Sequence, residues 1–327
     1  MMRFSKWLTS LLLMGLLALG MAQERPSGVE CIAPADPGGG WDFTCRSVGN
    51  LLRELGLVDG SVQTQNMTGA GGGIAYAHVV AQREGDANLL VAASTVTATR
   101  LAQDQFQGMD ADDVRWLAAI GADFGVIAVR ADAEWEDLNS FLDDLVADPS
   151  SIRFAGGSAP GGWDHMRPLM LAQAAGLEDA QALRYTSFSS GGPSLVELLA
   201  GRVEAVTTDI SEALGQLEAG EIRILAVLSE ERLPGDEVSH IPTAVEQGYD
   251  VIGANWRGFY LPAGLTDEQY QMWEEIMTTL EASEEWEQMR EQNALAPFFL
   301  VGEEFDEFVR NEVQRYVVIS QELGIID

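Results

Sequence analysis

The chain has 327 residues, 46% of them hydrophobic and 8% aromatic. That is ample core for one large or two ordinary domains and excludes a disordered or fibrous protein. Its 51 acidic residues outweigh 19 basic ones, a net charge of -32, so the basic footprint that nucleic-acid binding requires is missing.

Residues 1–22 open with Arg3 and Lys6, continue as an apolar run over 7–19 and end on Gly20, Met21 and Ala22. A basic start, a short hydrophobic stretch and small residues at −3 and −1 read as an export signal cleaved after Ala22. The run is short for a membrane span, which takes about 20 residues, although an N-terminal anchor is the alternative. No cysteine lies near the cleavage point to carry a lipid. Lys6 is the only lysine, so cleavage leaves 17 arginines against 51 acids, a net charge of −34. Such a surface repels itself at ordinary salt. Near 1 M salt the screening length falls to about 3 Å, and the composition reads as adaptation to a saline compartment. An acidic but otherwise ordinary surface is the plainer reading.

Export also bears on Cys31 and Cys45, which can pair in an oxidising compartment. Two separate buried thiols are the alternative. A metal site is not expected, because two cysteines and the scattered His78, His165 and His240 match no ligand spacing.

Apolar runs of strand length fall at 29–33, 62–65, 88–92, 117–120, 126–129, 152–155, 183–186, 203–207 and 222–228. Helical spacing connects Val48, Leu51, Leu52 and Leu55, then Tyr270, Trp273, Met277 and Leu280, then Phe305, Phe308, Val309 and Tyr316. The alternation predicts an α/β architecture. An internal echo, Gly39-Gly40-Trp41-Asp42 and Gly161-Gly162-Trp163-Asp164, stands between a predicted strand and helix each time, with Arg46 or Arg167 following. It suggests two similar lobes.

Four glycine-rich turns, at 34–42, 68–73, 156–164 and 189–193, each lead into a predicted helix. A helix N-terminus offers unpaired N–H groups and a partial positive charge, and glycine lets the backbone approach a ligand closely. In open α/β sheets such turns gather where ligands bind. Together they predict a small anionic ligand held between lobes. Enzyme readings are weaker. A mature chain without lysine has no P-loop and no Schiff-base amine. The glycines at 69–73 miss the last position of the dinucleotide pattern, and Ser158 lacks the glycine that a nucleophile elbow needs. Asp42 and Asp164 fit as helix caps, His165 as a solvated or capping residue. Trp41 and Trp163 fit either a pocket wall or the core.

The run from Cys31 to Asp42 resembles the periplasmic receptors of tripartite tricarboxylate transporters, the Bug or TctC family. So do Asn66-Met67-Thr68-Gly69-Ala70-Gly71-Gly72, Ser189-Ser190-Gly191-Gly192-Pro193, Gly220-Glu221-Ile222-Arg223, Ile241-Pro242-Thr243-Ala244 and Trp256-Arg257-Gly258-Phe259-Tyr260. The resemblance runs in order from about residue 29 to the C-terminus. It implies a two-lobed, type II (Venus-flytrap) periplasmic binding protein, with residues 23–123 and 251–327 in one lobe and 124–250 in the other. It implies a monomer without cofactor that closes on a small di- or tricarboxylate and delivers it to membrane permease subunits. Carried over, the ligand-binding positions are Pro34, Gly39, Gly40, Trp41, Asp42, Gly71, Gly72, Ser94 and Thr95 in the first lobe. In the second they are Ser158, Ala159, Gly161, Ser189, Gly191, Thr208 and Asp209, and Trp163 beside the same loop is a further candidate. Asn66-Met67-Thr68 departs from the family's usual Asn-basic-Pro, and Trp163 is a second departure. From the residues alone, Arg257 is a candidate carboxylate clamp, with an interlobe structural arginine as the alternative. An exported esterase using the same cleft and a sensory subunit for a membrane kinase are competing functions.

Overall fold

The computed structural model describes residues 25–327, so the expected signal and its cleavage point lie outside the described residues. The first half of the chain runs β1 (Glu30–Ala33), α1 (Gly40–Glu54), β2 (Gln63–Asn66), α2 (Gly73–Gln82), β3 (Leu89–Ser94), α3 (Thr95–Ala102) and the long β4 (Val114–Arg130). There follow α4 (Leu138–Ala147), β5 (Arg153–Gly156), α5 (Trp163–Ala174), β6 (Arg184–Ser187), α6 (Gly191–Leu199), β7 (Ala205–Asp209), α7 (Ile210–Glu218) and β8 (Ile222–Val227). The chain ends with β9 (Ala254–Pro262), α8 (Asp267–Glu281), α9 (Glu284–Gln292), β10 (Leu300–Val301) and α10 (Glu303–Glu322).

The strands order as β2-β1-β3-β9-β4-β7-β5-β6, with β8 and β10 also on β4. Two parallel βαβ sets, β1 with β2 and β3, and β5 with β6 and β7, lie at opposite ends. Between them β4 and β9 run antiparallel to each other. Residues Val114 to Phe124 of β4 pair with β9, while Gly125 to Val129 pair with β7. The strand therefore passes from one half of the molecule to the other between Phe124 and Gly125.

The runs predicted at 117–120 and 126–129 are one 17-residue strand, and β9 and β10 were not expected. The single long β4 and the unexpected β9 have one cause. Asp123 interrupts the apolar pattern of β4 and Arg257 that of β9, yet both are buried and paired with each other inside the sheet. A sequence window sees two isolated charges and ends the strand; the sheet neutralises them across it.

The predicted helical faces carry the core. Val48, Leu51 and Leu52 of α1 meet Trp273, Met277 and Leu280 of α8 in one cluster with Leu90, Ala92 and Phe259. Phe305 of α10 packs edge-on to Trp116 and Trp256 at 6.2 and 5.3 Å, and Tyr316, further along, packs on Trp163 at 5.2 Å. Helix α10 thus touches both halves. Cys31 on β1 and Cys45 on α1 are joined by a disulfide and fully buried. The separate-thiol alternative is set aside. Closing a loop of this length restricts the unfolded chain by about 3 kcal/mol. Cys31→Ser is expected to lower the melting temperature, and reduction of the wild type should reproduce the shift. An unchanged melting temperature in both would refute the stabilising role.

Candidate functional site

All four glycine turns do open helices. Gly39 caps α1 and Gly162 caps α5, neither with a side-chain hydrogen bond; Gly72 precedes α2 in the left-handed region at φ 99°, and Ser190 precedes α6. These turns lie at the C-terminal ends of β1, β2, β5 and β6. A cavity of about 340 Å³ opens between them, with Asn255 and Arg257 of β9 on its floor.

Twelve of the positions singled out in the sequence line this cavity: Pro34, Gly39, Gly40, Trp41, Gly71, Ser94, Ser158, Ala159, Ser189, Gly191, Asp209 and Arg257. Six lie elsewhere, for local reasons. Asp42 accepts from the Gly38 N–H, Arg46 and Asn66, each at 2.9 Å, and so pins the first glycine turn from behind. Gly72 is buried behind the Trp41 ring. The Thr95 hydroxyl donates to Ala254 O and accepts from Trp256 N, both at 3.2 Å, tying α3 to β9. Gly161 donates its N–H to His165 Nδ1 and gives its carbonyl to Gln103. Trp163 is 1% exposed and belongs to the core. Thr208 turns its hydroxyl to Glu212 at 2.7 Å. The two echoed tetrapeptides therefore diverge in use, with Trp41 on the cavity and Trp163 away from it.

Neither aspartate of the echo is an N-cap; both sit in the first helical turn. His165 is buried rather than solvated and fixes the third glycine turn through its Nδ1. Burial, reinforced by Arg100, pushes its imidazole down to about 4, so it stays neutral and accepts that hydrogen bond.

Beneath the cavity lies a buried ionic network that the sequence reading missed. Arg257 Nη2 donates to Asp123 Oδ2 at 2.9 Å and Asp209 Oδ2 at 2.5 Å. Arg167, fully buried, donates to Asp164 Oδ1 at 2.9 Å and Asp209 Oδ1 at 2.5 Å. Asn255 adds its amide N–H to Asp209 Oδ2 at 2.7 Å. Arg257 thus cross-links β4, β7 and β9, and its charge is already matched by two aspartates. Burial works against ionisation throughout, but Arg167 and Arg257 hold Asp209 below the ordinary carboxylate range. Burial raises Asp123 and Asp164 to about 6, with the Asp209 charge adding to the rise in each. Glu212, at the cavity edge, is raised to about 7 by burial and by Asp209 and Asp164. Charges set inside apolar strands, as Asp123 and Arg257 are, were the available signal for this network.

A cavity between two α/β halves, walled by helix N-termini, defines a solute-binding receptor. Residues 49–325 match the sequence model of the tripartite tricarboxylate transporter family receptor. BugT of Bordetella pertussis (strain Tohama I) is 25% identical over 301 residues, covering 90% of this chain and 89% of its own. Among solved structures, R. palustris Rpa4515 with adipate superposes with a TM-score of 0.81 at 20% identity, over 91% of this chain and 97% of its own. MatC from Rhodopseudomonas palustris with bound malate superposes with a TM-score of 0.75 at 20% identity, over 90% and 98%. The chain belongs to the tripartite tricarboxylate transporter receptor family, whose members are periplasmic solute-binding receptors and not enzymes. No helix among the described residues is long and apolar enough to cross a membrane.

Proposed function

We propose that the mature chain, a monomer from Gln23, captures a small di- or tricarboxylate and delivers it to the membrane permease subunits of a tripartite transporter. Residues 23–123 and 251–327 form one lobe and 124–250 the other, and ligand shifts the population toward the closed arrangement. The observation that carries this reading is the convergence of the α1 and α6 N-termini on one cavity, whose lining includes both Gly39 and Ser190, close enough that a Cβ on Gly39 would lie 3.3 Å from Ser190 Cβ. Preorganised backbone donors hold carboxylates without a free cation. A volume of about 340 Å³ is at the small end of the ligand-pocket range of roughly 300–1,000 Å³, which suits a metabolite. Two relatives of the same fold carry malate and adipate, both dicarboxylates.

Thermal shift of the mature chain against a carboxylate panel tests this, in about 1–2 M NaCl to screen the self-repulsion. A ligand at 100 times its dissociation constant adds about 2.7 kcal/mol. One or a few di- or tricarboxylates should raise the melting temperature clearly. A flat response from cooperatively unfolding protein would overturn the carboxylate reading.

A further inference from the structure

We infer that Glu212 determines how the cavity admits a dianion: it meets the ligand as a neutral carboxylic acid, so that capture of a dicarboxylate takes up one proton from solvent. The inference rests on the carboxylate reading above and deepens it.

Glu212 stands in the first turn of α7 and lines the cavity beside Ser189, Ser190 and Gly191, where α6 begins. Its Oε1 accepts from the Gly191 N–H at 3.2 Å and its Oε2 from the Thr208 hydroxyl at 2.7 Å. Both donors are neutral. The fit is close, since a Cβ on Gly191 would fall 2.5 Å from Glu212 Oε2. A ligand carboxylate drawn to the α6 N-terminus therefore finds an acid already there.

The charges around Glu212 come from several elements. Asp209 ends β7, Asp164 and Arg167 stand on α5, Asp123 on β4 and Arg257 on β9. The charged side chains of α6 and β8 are engaged elsewhere, Glu197 with Arg202 and Arg223 with the carbonyls of Ala131, Ala133 and Trp135. Each of the three aspartates bonds a guanidinium. Among the described residues no cation bonds Glu212, so it is the acid that a nearby anion protonates most readily.

Arg257 does not remove the difficulty. Its Nη2 holds Asp123 and Asp209, while its Nη1 lies against the first glycine turn, 2.4 Å from where a Gly40 Cβ would be. That nitrogen, with the serine hydroxyls and glycine N–H groups of the lining, offers hydrogen bonds to a ligand carboxylate. The guanidinium charge is nevertheless matched by aspartates already. A dianion thus adds two charges to a site where four acids face two arginines. Protonation of Glu212 removes one negative charge and supplies an O–H donor, and its oxygens still accept from Gly191 and Thr208. The α6 N-terminus favours the ionised form, but burial, Asp209 and Asp164 outweigh it and raise the free carboxyl to about 7. A bound anion raises it further. Affinity is therefore full below neutrality and falls as pH rises above it, by about tenfold per unit while one proton is linked to binding.

Titration calorimetry of the mature chain with succinate, malate and adipate tests this, at about pH 6.5, 7.5 and 8.5, where the ligands' own carboxyls stay ionised. Buffers of different ionisation enthalpy count the protons. A binding ligand should take up close to one proton at the highest pH and bind at least about tenfold more weakly there than at the lowest. Glu212→Gln keeps the shape and cannot ionise. With a melting curve like that of the wild type, it should take up no proton and bind at the highest pH as tightly as the wild type does at the lowest. Uptake that persists in this variant would place the proton on another acid and overturn the assignment to Glu212. An affinity independent of pH, without uptake, would overturn the inference and leave the carboxylate reading standing; the wild type decides this whether or not the variant folds. Silence from all three ligands at every pH would overturn both.

Discussion

Asp209→Ala is expected to destabilise the fold by about 3–5 kcal/mol, the loss typical of breaking a buried ion pair from one side. Asp209 is the hub of the network: one oxygen takes Arg167, the other takes Arg257 and Asn255. Without it both guanidinium groups keep a single aspartate each, Asp164 and Asp123. Neither can move to water, because Arg167 is 0% and Arg257 4% exposed. The loss spreads over both halves of the molecule, since β7, α5 and β9 meet at this carboxylate. Urea unfolding of wild type and variant at matched salt measures it. A difference below about 1 kcal/mol, within the range of a surface pair, would show that water or a shifted acid replaces Asp209.

Gly39→Val should act in the opposite sense, sparing the fold and removing ligand binding by at least about a hundredfold, roughly 2.7 kcal/mol. Gly39 adopts φ −80° and ψ 168°, which any residue reaches, so no backbone strain follows. An added Cβ would lie 3.3 Å from Ser190 Cβ on the opposite side and equally close to Ala35 Cβ and Asp36 O. The γ methyls of valine would then fill the gap where the α1 and α6 N-termini face each other. Gly40 and Gly71 are less informative positions. A Cβ on Gly40 would fall 2.4 Å from Arg257 Nη1 and disturb the ionic network. Gly71 sits at φ +61°, where a branched residue is strained, with Arg100 Nε 2.9 Å from the added atom. Binding measured by titration alongside a melting curve separates the two effects at Gly39. Wild-type affinity would refute the anion-binding role of this turn.

Much of the scaffold was legible beforehand. Strands β1, β2, β3, β5, β6, β7 and β8 fall within a residue or two of the apolar runs, and the three periodic helical faces are buried. Local periodicity suffices there because each element satisfies its own backbone and turns one apolar side to the core. The four glycine turns were equally visible, since their composition is itself the conformational requirement.

What the sequence by itself determined, then, is the α/β alternation, the turns that open helices, the excess of acid and the pairing open to two cysteines. Which residues face the cavity was decided only by tertiary structure. Trp41 and Trp163 share a tetrapeptide, but Tyr316, from the last helix, covers one and leaves the other on the cavity. Arg257 reads equally as a carboxylate clamp or a structural arginine until Asp123 and Asp209, 134 and 48 residues away, are folded against it. Hydrophobic periodicity is a property of neighbours in the chain, whereas the charge a ligand meets depends on groups that only folding brings together.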